Sequence, residues 1–196
     1  MPSHSNRLIV GISGASGAIL GIRLLEALRQ DDSIETHLIL TDAAKITIAQ
    51  ETGWKISDVE ALADEVHKAG NIGASIASGS FQTKGMVVVP CSIKSLSAIA
   101  HSYADDLLAR AADVQLKEGR PLVLVVRESP LHLGHLRLMV QAAEIGAVIL
   151  PPMPAFYSEP QSLDDMINGI VGRILLRLGI ANDLYSEWLG LRGRTP

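Results

Sequence analysis

Three short stretches of the sequence combine glycine, hydroxyl or charged side chains directly after an apolar run. They are Gly14-Ala15-Ser16, residues 92–95 with the sequence Ser-Ile-Lys-Ser, and Arg127-Glu128. Turns that open a helix point backbone N–H groups and the positive end of the helix dipole outward, where they bind anions. Hydroxyl groups hold phosphate oxygens, and an arginine holds them with two parallel hydrogen bonds. We therefore expect a phosphorylated ligand, with a tight turn that binds nothing as the alternative at the first stretch.

These stretches need a scaffold that brings the ends of several strands together. Short apolar runs rich in β-branched residues predict buried strands, and segments with helical spacing separate them. The five predicted strands are 8–12, 36–40, 86–89, 121–126 and 147–150, and the main predicted helices are 19–28, 42–51, 105–117, 133–145 and 162–178. This alternation predicts a single α/β domain with a doubly wound parallel sheet. Ligands of such sheets bind beyond the carboxyl ends of the strands, where we expect the polar turns to converge.

The segments between these elements carry further expectations. A capping-box spacing from Ser57 predicts a helix that runs toward His67. The small and polar residues 71–84 predict a long loop with a short helical turn. Pro90 is expected to end the third strand, and residues 180–196 are expected to form a helical tail.

The composition narrows the class of protein. Of the 196 residues, 47% are hydrophobic and 19% charged, so we expect a sheet buried on both faces or surface buried between subunits. The net charge of −4 gives no support for nucleic-acid binding. No apolar run approaches the roughly 20 residues of a membrane span. The single cysteine, Cys91, forms no intramolecular disulfide, and no signal-peptide core precedes the first strand, so we expect the cytoplasm.

Several familiar sites are disfavoured by spacing. The first turn lacks the Gly-Lys-Ser/Thr of a P-loop and the spacing of a dinucleotide fingerprint. No Gly-x-Ser-x-Gly elbow is present. His132 and His135 share a helix face without an evident third metal ligand. For Ser16 and Ser92, the alternative to ligand binding is helix capping. For Cys91, a buried structural cysteine is a commoner state than a nucleophile.

Taken together, several blocks of the sequence resemble the flavin prenyltransferases of the UbiX/Pad1 type. The matching blocks are GISGASGAILGIRLLEAL (11–28), ETHLILTDAAK (35–45), ASGSF (77–81), VVVPCSIKSLSAIA (87–100), LLARAADVQLKEGRPLVLVVRESPLHLGHLRLM (107–139) and GAVILPPMPAFYSEPQSLDDM (146–166). The resemblance implies a Rossmann-like, flavodoxin-like subunit that binds FMN in a dodecameric assembly. It also implies transfer of a dimethylallyl group from dimethylallyl phosphate to reduced FMN, without a metal. The prenylated FMN would serve a decarboxylase of the UbiD type.

The resemblance assigns residues to three groups. Those matched to FMN binding are Gly14, Ala15, Ser16, Thr41, Ser92, Ile93, Lys94, Ser95 and Arg127. Those matched to the reaction itself are Ser16, Glu51 and Glu128. Those matched to dimethylallyl phosphate are Arg110, Lys117, Tyr157, Arg173 and Trp188. One departure is the pair Arg137-Leu138, where the family usually has Glu-Asn.

These residue types suit the implied chemistry. A departing phosphate needs cations and a proton donor, and Glu128 beside Arg127 is placed to shuttle that proton. Ser16 is expected near flavin N5, where the new bond forms. An aromatic wall of Tyr157 and Trp188 would shield an allyl cation from water and stabilise it, with ordinary core packing as the alternative for both.

Two other functions stay open at this point. The first is an FMN-dependent decarboxylase of the cysteine type, although that group usually carries Pro-Ala-Ser-Ala-Asn-Thr where this chain has residues 90–95. The second is a non-catalytic flavin carrier, which would need neither Glu128 nor the cations Arg110, Lys117 and Arg173.

Overall fold

The computed structural model describes residues 6–185, 187, 188 and 190 of the chain. It contains one six-stranded sheet in which all neighbouring strands are parallel. The strands are β1 (Arg7–Ile12), β2 (Glu35–Leu40), β3 (Glu65–Lys68), β4 (Gly85–Cys91), β5 (Leu122–Val126) and β6 (Val148–Ile149). Their spatial order is β3-β2-β1-β4-β5-β6, so the direction of winding reverses between β1 and β4. The predicted doubly wound sheet is confirmed, with its switch point at the carboxyl ends of these two strands.

Helices cover both faces of the sheet. They are α1 (Ala18–Leu28), α2 (Asp42–Glu51), α3 (Ile56–Glu60), α4 (Ile93–Ala100), α5 (Leu107–Lys117), α6 (Leu133–Glu144) and α7 (Leu163–Arg177). Side chains of β1 alternate between the faces: Leu8 and Val10 pack with α1 and α7, and Ile9 packs with α4, α5 and α6. All three are fully buried, and each buried side chain of this size contributes about 1.5–3 kcal/mol. Coverage of both faces explains why the strands read as continuous apolar runs.

The edge strand β3 was not predicted, and the expected helix toward His67 is wrong beyond Glu60. The side chain of Asp64 accepts hydrogen bonds from the backbone N–H (2.7 Å) and the hydroxyl (2.8 Å) of Thr36. Asp64 N–H donates in return to the Thr36 hydroxyl at 3.0 Å, so the chain is directed alongside β2. A short edge strand with exposed polar residues has no continuous apolar run by which the sequence could reveal it.

The third predicted strand also differs at its end. β4 passes through Pro90 to Cys91, with a cis peptide bond between Val89 and Pro90. The register against β5 shifts between Val88 and Cys91, and such an irregularity accommodates proline within a sheet. The predicted loop at residues 71–84 is confirmed and includes a 3₁₀ turn at Ser75–Ala77.

The tail after α7 is irregular where the structure describes it, so the helix predicted from about residue 180 is wrong for those residues. Gly179, with φ of 71°, follows the end of α7. The side chain of Asn182 donates to the carbonyl oxygens of Gly172 (3.1 Å) and Ile180 (3.3 Å) and accepts from Leu184 N–H (3.1 Å). These bonds fold the tail back along α7. Among the helices in the described ranges, none has the length and apolar character needed to cross a bilayer.

Gly172 is where the tail approaches α7 most closely, which gives a test of the packing. A Cβ at this position would lie 2.7 Å from the backbone nitrogen of Tyr185. Gly172→Ala is therefore expected to lower the free energy of unfolding by about 1–3 kcal/mol, measured by urea denaturation. Gly169→Ala is the matched control on the same helix, because a Cβ there meets nothing within 4 Å. It is expected to stabilise by up to about 1 kcal/mol, and equal destabilisation by both variants would contradict this packing.

Candidate active site

The turns after β1 and β4 are joined by Ser13, at the switch point of the sheet. The buried Ser13 hydroxyl donates to the carbonyl oxygen of Pro90 at 2.9 Å and accepts from the backbone N–H of Ser92 at 2.7 Å. The first and second predicted turns therefore form one hydrogen-bonded unit. Sequence reasoning gave Ser13 no separate role, although a small polar residue directly after a buried strand was a usable signal.

The first turn is closely packed and ends at the start of α1. A Cβ on Gly14 would lie 2.3 Å from the Cβ of Ala43, so only glycine fits against the start of α2. Ala15 is buried, and Gly17 takes a positive φ of 96° as the N-cap residue of α1. The carboxylate of Glu51, at the end of α2, accepts from Gly17 N–H at 2.7 Å and from Ala18 N–H at 3.4 Å. The anion at this helix N-terminus is therefore a side chain of the protein itself.

Glu51 connects the first turn with Arg127. Burial alone raises the pKa of the Glu51 carboxyl, but hydrogen bonds from the Ser16 hydroxyl and from two backbone N–H groups outweigh it and lower that pKa below its usual value. The positive charge of Arg127 acts in the same direction. The side chains of Ser16, Glu51 and Arg127 interact beyond the carboxyl ends of the central strands, and we call them the edge cluster. Ser16 does not cap α1, because Gly17 occupies that position.

Hydroxyl groups cap helices α2 and α4 at the same edge. Thr41 accepts from Ala44 N–H at 3.1 Å at the start of α2. Ser92 accepts from Ser95 N–H at 3.2 Å at the start of α4 and donates to the Ser95 hydroxyl at 3.2 Å. The capping alternative for Ser92 is therefore correct, and it leaves the first N–H groups of α4 at the edge. Of the other residues in this turn, Ile93 is half-buried and Lys94 is exposed.

The third turn follows β5 and carries two exposed charges. The backbone N–H of Arg127 donates to the carbonyl oxygen of Cys91 at 3.1 Å, which ties this turn to the end of β4. The Glu128 carboxylate accepts from Ser129 N–H at 3.0 Å. Cys91 itself is fully buried, and burial raises the pKa of its thiol to about 12. The raised pKa disfavours the thiolate form that a nucleophile needs, and the complete burial of Cys91 agrees with the structural state that is the commoner one.

Three of the five residues matched to dimethylallyl phosphate meet at the tail. The hydroxyls of Tyr157 and Tyr185 are 2.5 Å apart, and the Tyr157 and Trp188 rings are in edge contact with centroids 5.2 Å apart. The guanidinium of Arg173 lies 5.5 Å above the centre of the Tyr185 ring. We call Tyr157, Arg173, Tyr185 and Trp188 the aromatic cluster. Tyr185 was not predicted from the sequence. Its position three residues before Trp188 was the signal that could have indicated it.

The aromatic cluster also shifts the ionisation of Tyr157. The hydrogen bond with Tyr185, burial and the neighbouring phenol all raise the pKa of Tyr157, and Arg173 only partly opposes them. Tyr157 therefore stays protonated over the neutral range and keeps a hydroxyl that can donate to an anion.

Two predicted substrate residues lie elsewhere in the chain. On α5, Arg110 donates to the carbonyl oxygen of Ala77 at 3.2 Å and pairs with Asp113 at 2.9 Å. Lys117, in the last turn of the same helix, pairs with Glu118. We call Arg110 and Lys117 the α5 cations. Helix α5 covers one face of the sheet and α7, which carries Arg173, covers the other. One chain therefore does not bring all five residues to a common phosphate.

Comparisons with known proteins place this chain among close relatives. It is 64% identical over 186 residues to flavin prenyltransferase UbiX of Escherichia coli K12, across 94% of this chain and 98% of that one. It is 59% identical to flavin prenyltransferase UbiX of Thauera aromatica, across 94% of each chain. A crystal structure of AnUbiX (PadA1) in complex with FMN and dimethylallyl pyrophosphate superposes with a TM-score of 0.92 at 47% identity, covering 95% of this chain and 98% of that one.

Two further structures bear on the assembly and on the alternative function. A dodecameric FMN-dependent UbiX-like decarboxylase from Escherichia coli O157:H7 has a TM-score of 0.92 at 49% identity, covering 94% of this chain and all of that one. The FMN-dependent cysteine decarboxylase SpaF has a TM-score of 0.58 at 22% identity, and that likeness shows the fold alone.

A doubly wound parallel sheet with hydroxyl-capped helices and an arginine at its switch point defines a nucleotide-binding protein of the Rossmann-like class. The family model described as Flavoprotein matches residues 2–174. The chain belongs to the flavoprotein family and, within it, to the UbiX flavin prenyltransferases.

The charge of Glu51 at the start of α1 predicts a stability that depends on pH. Glu51→Gln is expected to lower the free energy of unfolding by about 1 kcal/mol near neutral pH, because a charged acceptor at a helix N-terminus becomes neutral. The folded pKa is lowered, so the advantage of the carboxylate is complete above the ordinary value of 4.5 and disappears as pH falls through the folded value.

Denaturation of both proteins between neutral pH and pH 3 measures this difference. Glu128→Gln is the control, because its carboxylate bonds only the adjacent Ser129 N–H among the described contacts. A stability gap between wild type and Glu51→Gln that stays constant with pH would refute the assigned contact.

Proposed function

We propose that this protein transfers a dimethylallyl group from dimethylallyl phosphate to reduced FMN and so makes prenylated FMN. The observation that carries the proposal is the edge cluster at the switch point, in a chain 64% identical to a flavin prenyltransferase. A UbiD-type decarboxylase is the proposed recipient of the product, and the cytoplasm the proposed compartment.

FMN fits the donor groups gathered at this edge. The N-terminus of α1 is taken by Glu51, so we assign the phosphate of FMN to the starts of α2 and α4. Thr41, Ser92 and Ser95 supply hydroxyls there, and the first N–H groups of α4 supply further donors. Reduced FMN brings the nucleophilic ring nitrogen N5 to the reaction. Gly14, Ala15 and Ser16 would line the ring. Because Gly14 has no side chain, the turn packs closely against the start of α2.

Ser16 and Glu51 form the polar wall beside the reacting nitrogen. The hydrogen bond from the Ser16 hydroxyl helps to lower the pKa of the Glu51 carboxyl, which favours the carboxylate form that accepts this bond. A hydroxyl oriented in this way presents its lone pairs to a neighbouring N–H donor, so it holds the ring in place. Glu128 lies on the turn after Arg127 with an exposed carboxylate, and we assign it the movement of a proton between the flavin ring and the leaving phosphate.

The leaving phosphate requires positive charge and hydrogen-bond donors. Breaking the bond between allyl carbon and phosphate oxygen places negative charge on the phosphate, and preorganised cations stabilise that charge. Arg173 and the protonated Tyr157 supply a cation and a donor from the aromatic cluster. Trp188 and the Tyr157 ring supply an aromatic wall that excludes water from the allyl group and attracts its positive charge.

The α5 cations require a second chain. Because α5 and α7 cover opposite faces of the sheet, Lys117 and Arg173 of one subunit cannot hold one phosphate. We propose that a homo-oligomer, a dodecamer like the related UbiX-like decarboxylase, brings Arg110 and Lys117 of one subunit to the aromatic cluster of another. This arrangement also accounts for exposed apolar side chains such as Leu133, Leu136 and Val140 on α6.

The deciding experiment is anaerobic incubation of the protein with reduced FMN and dimethylallyl phosphate, followed by mass analysis of the released flavin. A flavin heavier by one prenyl unit is expected. Unchanged flavin would favour the carrier function. In a parallel incubation with a cysteine-like carboxylate, carbon dioxide release would favour the decarboxylase.

Glu128→Gln is expected to bind FMN as the wild type does but to lose prenyl transfer by at least 100-fold, because only proton transfer is removed. Flavin fluorescence titration measures the binding and the mass assay measures the transfer. Glu144→Gln, an exposed carboxylate at the end of α6, is the matched control and should be fully active. Wild-type activity in Glu128→Gln would contradict the proton-transfer role assigned to Glu128.

Arg173→Ala is expected to raise the KM for dimethylallyl phosphate at least tenfold and to leave FMN affinity unchanged, because it removes a phosphate contact only. Arg177→Ala, one turn further along α7, is the control. Loss of FMN binding in Arg173→Ala would contradict the division between flavin and prenyl residues.

The same variant tests the proposed assembly. Arg173→Ala and Lys117→Ala chains, co-expressed with different tags and purified as mixed oligomers, should regain up to about a quarter of the wild-type sites if the two residues act from different subunits. Mixed oligomers no more active than the parent variants would show that both residues act from one chain.

A further inference from the structure

A group of histidine and glutamate side chains lies between β2 and β3, apart from the flavin site. His37 on β2 is directly opposite Glu65 on β3, and His67 is two residues further along on the same face. His37 is completely buried, His67 is 7% exposed and Glu65 is half exposed. Within the described residues it is the one group of three or more histidine, cysteine or acidic side chains that could hold a metal ion.

The distances within this group are those of metal ligands. His37 Nδ1 and His67 Nε2 are 3.0 Å apart. Glu65 Oε2 lies 3.4 Å from His37 Nδ1, and the other carboxylate oxygen, Oε1, lies 3.6 Å from His67 Nε2. Tetrahedral zinc with bonds of about 2.0–2.1 Å separates its ligand atoms by about 3.3 Å. The three observed separations bracket that value.

The surroundings of His37 also match those of a metal ligand. Its other ring nitrogen, Nε2, lies 3.1 Å from the Glu35 carboxylate, which Arg7 holds in turn at 3.0 Å. A carboxylate on the far nitrogen fixes the tautomer in which Nδ1 carries a lone pair. The ring of Phe81 packs edge-on against His37 with centroids 5.2 Å apart, so the nitrogen faces a site shielded from bulk water on one side.

We propose that His37 Nδ1, His67 Nε2 and the Glu65 carboxylate bind a divalent transition-metal ion, for which Zn²⁺ is the best match. Two imidazoles with one carboxylate are a common zinc ligand set, and the exposure of Glu65 leaves the fourth position to water. Two ligands come from the edge strand β3 and one from β2, so the ion joins the edge strand to the sheet. The site is structural and has no part in prenyl transfer.

Without a metal ion, the same side chains form a hydrogen-bonded pair. The two imidazole rings are inclined by only 15° with centroids 5.3 Å apart, as in an N–H···N bond. Zinc would replace the shared proton, and the two nitrogens would separate from 3.0 Å to about 3.3 Å. A side-chain adjustment of this size needs no movement of the strands.

The cluster is well separated from the flavin site. His37 precedes Thr41 by four residues along β2, which corresponds to roughly 13 Å at the rise of a strand. Removing the metal ligands should therefore leave prenyl transfer unchanged.

The test uses untagged protein freed of metal with a chelator and dialysed against Zn²⁺. We expect one zinc ion per chain by elemental analysis, and a thermal midpoint raised by roughly 5–10 °C at a hundredfold excess over the dissociation constant. His67→Gln and Glu65→Gln should each weaken zinc binding at least tenfold. His135→Gln is the matched control, because His132 and His135 form the second close histidine pair, with ring centroids 3.6 Å apart.

Cobalt adds a geometric readout, since four-coordinate Co²⁺ absorbs visible light strongly and the band should be absent in His67→Gln. No zinc uptake by the wild type at 100-fold molar excess would overturn the proposal. So would equal weakening by His135→Gln, or unchanged affinity in both Glu65→Gln and His67→Gln with their folds verified by circular dichroism.

Discussion

The contact between the Glu51 carboxylate and the first N–H groups of α1 determines how the rest of the site is arranged. A helix N-terminus beside a switch point is a general anion site, and here a side chain occupies it. That negative charge disfavours a second anion at the same position and directs a phosphate toward the starts of α2 and α4. It also accepts a hydrogen bond from the Ser16 hydroxyl and attracts Arg127, so one carboxylate links groups from the turns after β1 and β5.

The division of substrate residues between the two faces of the sheet follows from the fold itself. A doubly wound sheet carries helices on both of its faces, and here α4, α5 and α6 lie on one face while α1 and α7 lie on the other. Residues on both helices can serve one small substrate only across a boundary between chains. The apolar composition predicted either a sheet buried on both faces or surface buried between subunits. It is consistent with both features together.

The sequence predicted the central strands and the main helices, and it placed polar turns after those strands, because each of these features depends on local patterns. β1, β4 and β5 are continuous apolar runs, Arg127 follows β5 directly, and Ser16 follows β1 at the end of the glycine-bearing turn. β3 could not be predicted in this way, since its placement depends on a hydrogen-bond exchange between Thr36 and Asp64, which are 28 residues apart. Tyr185 was missed for the same reason: its contact with Tyr157 depends on a fold-back at Asn182 that has no periodic signal.

Ser13 has a consequence for the energetics of ligand binding. Its single hydroxyl holds the end of β4 on one side and the start of α4 on the other, so the two turns cannot move independently. Loops that close around a ligand lose conformational freedom at that moment, and binding is weakened accordingly. In this protein the chain gives up that freedom when it folds. A ligand that bridges both turns therefore meets a rigid surface, and its affinity is not reduced by the ordering of loops.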